Sequence, residues 1–99
     1  MTKQAERIEI QNVLSPQHSM RVDRVKYQEM RKALLKVLPK RAPGLTVAEV
    51  MTALLPHLSE EAFPGGAKAG WWLKAVQLDL EAKGFVAREP TKPLRLHRN

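Results

Sequence analysis

Gly65-Gly66-Ala67-Lys68 is the first grouping in this 99-residue chain with chemistry in it. Free backbone amides at a helix start, glycines that let a ligand approach the main chain, and a lysine beside them suit a phosphate. The grouping is not a nucleotide-binding loop. That pattern needs G-x-x-x-x-G-K followed by Ser or Thr after a buried strand, whereas these glycines follow Phe63-Pro64 and Lys68 precedes Ala69. A plain loop turning into a helix uses the same residues. The second grouping is cationic: Arg88, Lys92, Arg95 and Arg98 stand in or beside two short apolar runs separated by Glu89-Pro90-Thr91-Lys92-Pro93. Cations on such a hairpin can lie along a nucleic-acid backbone, giving salt-sensitive, sequence-independent affinity. They also serve simply to keep an edge hairpin soluble. A third grouping, Arg24, Lys32 and Lys36 with Lys40 and Arg41 beyond, suits phosphates, an RNA or an acidic protein, or a solvated helix face.

Catalytic chemistry finds no such grouping. His18, His57 and His97 are far apart, with neither H-x-x-x-H nor H-E-x-x-H spacing for a metal. Ser15, Ser19 and Ser59 lie in no nucleophile-elbow context. Glu60 and Glu61 are adjacent, so on a helix they diverge by about 100° rather than meeting on one substrate. The chain is expected not to be an enzyme, to hold no metal or other cofactor, and to take no small-molecule substrate.

The elements that must position these groups follow from periodicity. Lys68 to Lys83 contains no proline, and Val76 is its only β-branched residue, so it predicts a long third helix that stops at Gly84. Ala69, Trp72, Leu73, Val76 and Leu80 share one face of it, as a buried stripe does. A first helix is predicted from about Arg24 to Leu38, with Asp23 as N-cap and Pro39 beyond its end. Its apolar face is Tyr27, Met30, Ala33, Leu34, Val37 and Leu38. Thr46-Val47-Ala48-Glu49 is a capping-box pattern, which starts a second helix running to about Leu55, where Pro56 ends it. Val47, Val50, Met51, Leu54 and Leu58 supply its core side, and Ser59 to Ala62 suit one further turn. Ile8 to Leu14 reads as a short strand, and Ser15 to Val22 as a connector. Phe85 to Arg88 and Leu94 to His97 read as the strands of the C-terminal hairpin.

Three helices followed by a β-hairpin resemble the winged helix-turn-helix fold, over about residues 23–97. The Leu80-Glu81-Ala82-Lys83-Gly84-Phe85-Val86 junction is like that fold's passage from third helix to wing. The resemblance implies an α+β winged helix-turn-helix domain over residues 23–99, with three main helices and a C-terminal β-hairpin wing. Residues 1–22 would be an N-terminal arm with a short strand. More narrowly, Gly65 to Trp72 (GGAKAGWW), Gln77 to Gly84 (QLDLEAKG) and Thr91 to Arg95 (TKPLR) resemble a bacterial family known only as a domain of unknown function. That narrower resemblance implies the fold and no activity.

Composition sets the class of partner. The formal net charge is +7, and the positive charge sits around the first helix and the C-terminal hairpin. A basic chain suits anions, nucleic acid first and acidic membrane surfaces second. No run reaches the length of a membrane span, Met1 to Arg7 holds no apolar leader, and cysteine is absent. The chain is therefore expected to be cytoplasmic and away from membranes.

The outer face of the third helix carries Gly70, Trp71, Lys74, Ala75 and Leu78. Only Lys74, with Gln77 to one side, matches the donors and acceptors of base edges. Trp71 and Leu78 form a second apolar strip, and a helix apolar on both sides is generally covered on both. Either Ile8 to Leu14 covers it or a second copy of the chain does. Two functions are carried forward. One is binding of duplex DNA, as a transcriptional regulator would, with Lys68, Lys74, Gln77, Arg88, Lys92 and Arg95 as the contacts and phosphates as the main target. The other is a protein-interaction module or homodimer centred on Trp71 and Leu78.

Overall fold

The computed structural model describes residues 6–99. The chain runs β1 (Arg7–Gln11), β2 (Ser19–Asp23), α1 (Arg24–Val37), β3 (Leu45–Thr46), α2 (Val47–Leu54), α3 (Ala69–Ala82), β4 (Val86–Glu89) and β5 (Arg95–Arg98). Local chemistry explains most boundaries. Asp23 Oδ1 accepts the Lys26 amide at 3.0 Å and starts α1. Leu38, next to Pro39, is forced into extended backbone and ends it. Thr46 and Glu49 form both arms of the capping box, at 3.2 and 2.9 Å. The Thr46 amide holds the Glu49 carboxyl below its ordinary range. At the end of α3, Gly84 takes a φ of 83°. The Phe85 amide returns to the Leu80 carbonyl and the Gly84 amide to that of Glu81, the paired closure of a left-handed C-terminus.

Among the described residues the architecture is mixed α and β, with three α-helices and two small antiparallel sheets. β1 and β2 form one sheet, with Ile10 opposite Met20 and Ile8 opposite Val22. The other has the order β3-β5-β4, with Leu96 of β5 opposite Leu45 on one side and Arg88 on the other. One core serves the whole: Met30 and Leu34 from α1, Val50 and Leu54 from α2, Leu73, Val76 and Leu80 from α3, Leu96 from β5, and Ile10 and Val22 from the N-terminal hairpin. The expected stripe of α3 is buried at all five positions.

Several expectations need correction. Ser15 to Val22 is not all connector, because β2 begins at Ser19. Only Val22 of that strand is fully buried, so no apolar period marks it in sequence. Val47, expected in the core, is exposed at the start of α2. The turn expected at Ser59 to Ala62 is present, held by the Ser59 carbonyl and hydroxyl accepting the Phe63 and Ala62 amides. Helix three begins at Ala69, with Lys68 as its left-handed N-cap at φ 61°.

Candidate nucleic-acid interface

The glycine-rich start is built differently from a phosphate cradle. Pro64–Gly66 forms a single 3-10 turn, and the Gly65 amide points at both oxygens of Glu60, each at 3.1 Å. An internal carboxylate thus takes the place expected for an external anion. Lys68 itself is exposed, and a non-glycine residue in left-handed backbone costs about 1 kcal/mol.

The outer face of α3 divides in two. Trp71 and Lys74 stay open, with Trp71 50% exposed. Its ring stands edge-on to Trp72 at 5.2 Å, and Trp72 stands edge-on to Phe63 at 6.3 Å. Leu78 is only 7% exposed, because the loop after β1 lies over it and the Val13 amide donates to its carbonyl at 3.3 Å. The chain's own N-terminal segment therefore covers the later half of the apolar strip. Gln77 is buried too, donating to Glu81 Oε2 at 3.0 Å, which withdraws it from any base edge.

The C-terminal hairpin uses part of its charge internally. The Arg88 guanidinium grips Glu81 with two nitrogens, one at 3.0 Å, and that pairing raises the Arg88 pKa further. The Glu81 side chain is 4% exposed, so freeing Arg88 would strand a buried carboxylate. Arg95 is held more loosely. Its Nη1 donates to the Gly44 carbonyl at 3.0 Å and reaches the exposed Glu49 at 3.7 Å, a solvent-screened pair that holds it weakly. Arg98 Nε donates to the Leu38 carbonyl, tying β5 to the end of α1. Lys92 is exposed in the turn, where no ion pair holds it among the described residues.

His97 contacts its own strand through Nδ1, 2.9 Å from the Arg98 carbonyl, and β4 through Nε2, 3.0 Å from Glu89 Oε1. The backbone contact and then Glu89 raise its pKa above the ordinary 6.5. Any stability it lends is full below about pH 6.5 and is lost as pH rises through the raised value. In an NMR titration of the C2 proton, His97 is expected to turn over above pH 6.5, and Glu89→Gln should lower that midpoint. An unchanged midpoint in the variant would remove Glu89 from the account.

Two grooves flank the open ridge of α3. One, about 460 Å³, gathers Lys74 and Leu73 of α3, Met51 of α2, Leu14, and Arg88 and Leu94 of the C-terminal hairpin. The other, about 400 Å³, lies between the N-terminal hairpin and α3, lined by Ile10, His18, Met20, Trp71, Lys74 and Leu78 among others. Lys74 lines both. No carboxylate lines either groove. On the basic face of α1, Lys32 and Lys36 are exposed, and Glu29 beside them accepts the Ser59 amide and hydroxyl.

Beneath this face lies a group that sequence reasoning missed. Asp79 is fully buried, yet its oxygens accept the Gln11 amide at 2.8 Å, the Tyr27 hydroxyl at 2.5 Å and the Lys83 ammonium at 3.0 Å. It thereby joins β1, α1 and α3. Burial, and then the carboxylate it donates to, push the Tyr27 phenol above its ordinary value. The signal was present. Asp79 falls seven residues after Trp72 and three after Val76, on the apolar stripe itself, where a carboxylate has to find partners.

Fold and site together define a small mixed helix-and-sheet domain with a basic, apolar-edged helix face. The chain belongs to DUF6958, a family of unknown function whose family model matches residues 7–96. The narrower resemblance is borne out at that level. No curated protein and no solved structure matches the chain. Among the described residues, no helix is long and apolar enough to cross a membrane, and no three His, Cys, Asp or Glu residues are placed to share a metal.

Proposed function

We propose that the protein is a winged-helix module that binds duplex DNA mainly through phosphates, acting without catalysis. The topology supports the winged-helix reading: β3 precedes α2, two helices follow, and the last two strands return as a hairpin with β5 between β3 and β4. The observation that carries the functional reading is the single groove joining Lys74 of α3 to Arg88 and Leu94 of the hairpin without a carboxylate in its lining. Helix and wing thus face one hollow whose lining holds no acid and whose free cation is Lys74, Arg88 being paired with Glu81 behind it.

The contacts fall into two kinds. Lys68, Lys74 and Lys92 are exposed and act as anchors, and Arg95 joins them because its ion pair is weak. Arg88 serves to hold the wing against α3 through Glu81. With Gln77 buried and Leu78 covered, base reading is confined to the first turns of the helix, and affinity is largely indifferent to sequence.

The test is fluorescence anisotropy with a random-sequence duplex across a salt series. Four phosphate contacts give a slope of about −3.6 in log K against log salt, hence roughly a 150-fold loss between about 50 and 200 mM. Replacing Lys68, Lys74 or Lys92 by alanine should reduce that slope by about one unit each, whatever the sequence. Absence of binding at the lowest salt, or slopes unmoved in folded variants, would overturn the reading.

A further inference from the structure

The groove between the N-terminal hairpin and α3 shares Lys74 with the DNA contacts above, but the chemistry of the rest of its lining is of another kind. It is lined chiefly by apolar side chains, including Ile10, Met20, Ala75 and Leu78, and Trp71 stands half-exposed among them. The Trp71 ring rests on Trp72, which rests on Phe63, and both of those are buried. A ring fixed in this way loses little freedom when something packs on it. Met20, 49% exposed on the opposite wall, is a side chain that adapts to what it meets.

The charges around the groove say what it takes. Lys74 is its one formally charged lining residue, Lys68 lies three residues before Trp71, and no carboxylate faces in. The neighbouring acid, Glu9, sits at the far rim, accepting the Ser19 hydroxyl at 2.8 Å, and keeps its negative charge there, so an acidic segment is drawn to the Lys74 side. We infer that this groove binds an acidic segment of a partner protein, which seats one bulky apolar side chain against Trp71 and sets carboxylates against Lys74 and Lys68.

A second copy fits worse. A two-fold contact through Trp71 brings Lys68 and Lys74 against the same residues of a chain that already carries +7. A nucleic acid also fits worse: Gln11, Asn12, His18 and Ser19 line part of the groove, but its phosphates meet only Lys74 there, and Ile10, Met20, Ala75 and Leu78 offer base edges no partners.

The experiment is selection of a displayed random-peptide library on the immobilised full chain, followed by anisotropy with a selected peptide. Enriched sequences should place Asp or Glu around a Trp, Phe or Leu. Trp71→Ala should weaken the selected peptide about 30-fold or more, as loss of a central anchor does. Phe85→Ala, an exposed aromatic outside the groove, should leave it unchanged. Lys74→Glu, at an exposed site that leaves the core intact, should weaken the acidic peptide several-fold and enrich Lys- or Arg-bearing peptides from the same library. That inversion decides the matter even if Trp71→Ala fails to fold. Peptides without an acidic excess, or binding indifferent to both variants, would overturn the inference. So would a wild-type dimer that Trp71→Ala converts to monomer, or a random duplex that perturbs the Met20 and Ala75 amides when no peptide does. A duplex that fails to bind anywhere leaves this selection unaffected, so the two readings fail separately.

Discussion

Asp79→Ala is expected to lower the unfolding free energy by about 3 to 5 kcal/mol, the usual cost of removing one partner from a buried charged cluster. For a domain of this size the melting temperature falls by roughly 15 to 25 °C. The loss has named parts. The Tyr27 hydroxyl and the Gln11 amide are left without an acceptor, each costing about 1 to 3 kcal/mol. Lys83 contributes less, because a third of its side chain is exposed and it can turn to water. Urea denaturation measures the effect, and Tyr27→Phe alone and combined with Asp79→Ala isolates the pair. A single-variant loss below about 1 kcal/mol would show that the cluster is ornament to the core.

The same pair sets an alkaline limit. Because the folded state raises the Tyr27 pKa above 10.0, its contribution is whole below that pH and declines as pH climbs toward the raised value. Tyr27→Phe should flatten that decline.

Gly44→Ala is the second large effect. Gly44 has a φ of +81°, and a Cβ there would sit 2.0 Å from the Leu96 carbonyl oxygen and 2.6 Å from its carbon. Left-handed strain costs about 1 to 2 kcal/mol, and displacing a neighbouring backbone adds about 1 to 3 kcal/mol. The strand pushed aside is β5, the middle of its sheet, and the Gly44 carbonyl also holds Arg95. Gly84→Ala is the comparison, since its φ is +83° but no atom lies within 4 Å of the new methyl. It should lose only about 1 to 2 kcal/mol. Equal losses in thermal melts would mean that the collision at Leu96 is relieved at no cost.

What the sequence disclosed depended on whether one local force decided the matter. The capping box at Thr46 and Glu49, the Asp23 cap and the Gly84 stop each arise within a few residues, and each was readable. The stripe of α3 was readable because five buried side chains share one period. β2 was not, since Arg21 and Met20 are exposed and the strand exists through pairing with β1. The site was legible by residue type and not by state. Lys68, Lys74 and Lys92 are open, as their positions implied. Arg88 is engaged by Glu81, Gln77 is buried beside the same carboxylate, and Glu60 occupies the glycine turn. Those outcomes depend on side chains meeting across elements, or across a turn of unforeseen shape, which no spacing encodes.

The contact between Gln11 and Asp79 spans 68 residues, and that between Arg98 and Leu38 spans 60. On the ribosome, then, the first strand emerges long before its acceptor exists. α1 and α2 can gather early, but Ile10 and Val22 have no finished surface until α3 has been made, and β3 must wait for β5. Such end-to-end closure delays the reward for ordering the chain until nearly all of it is present. Residues 7–98 should therefore fold as one cooperative unit once α3 and β5 are both present, rather than piece by piece.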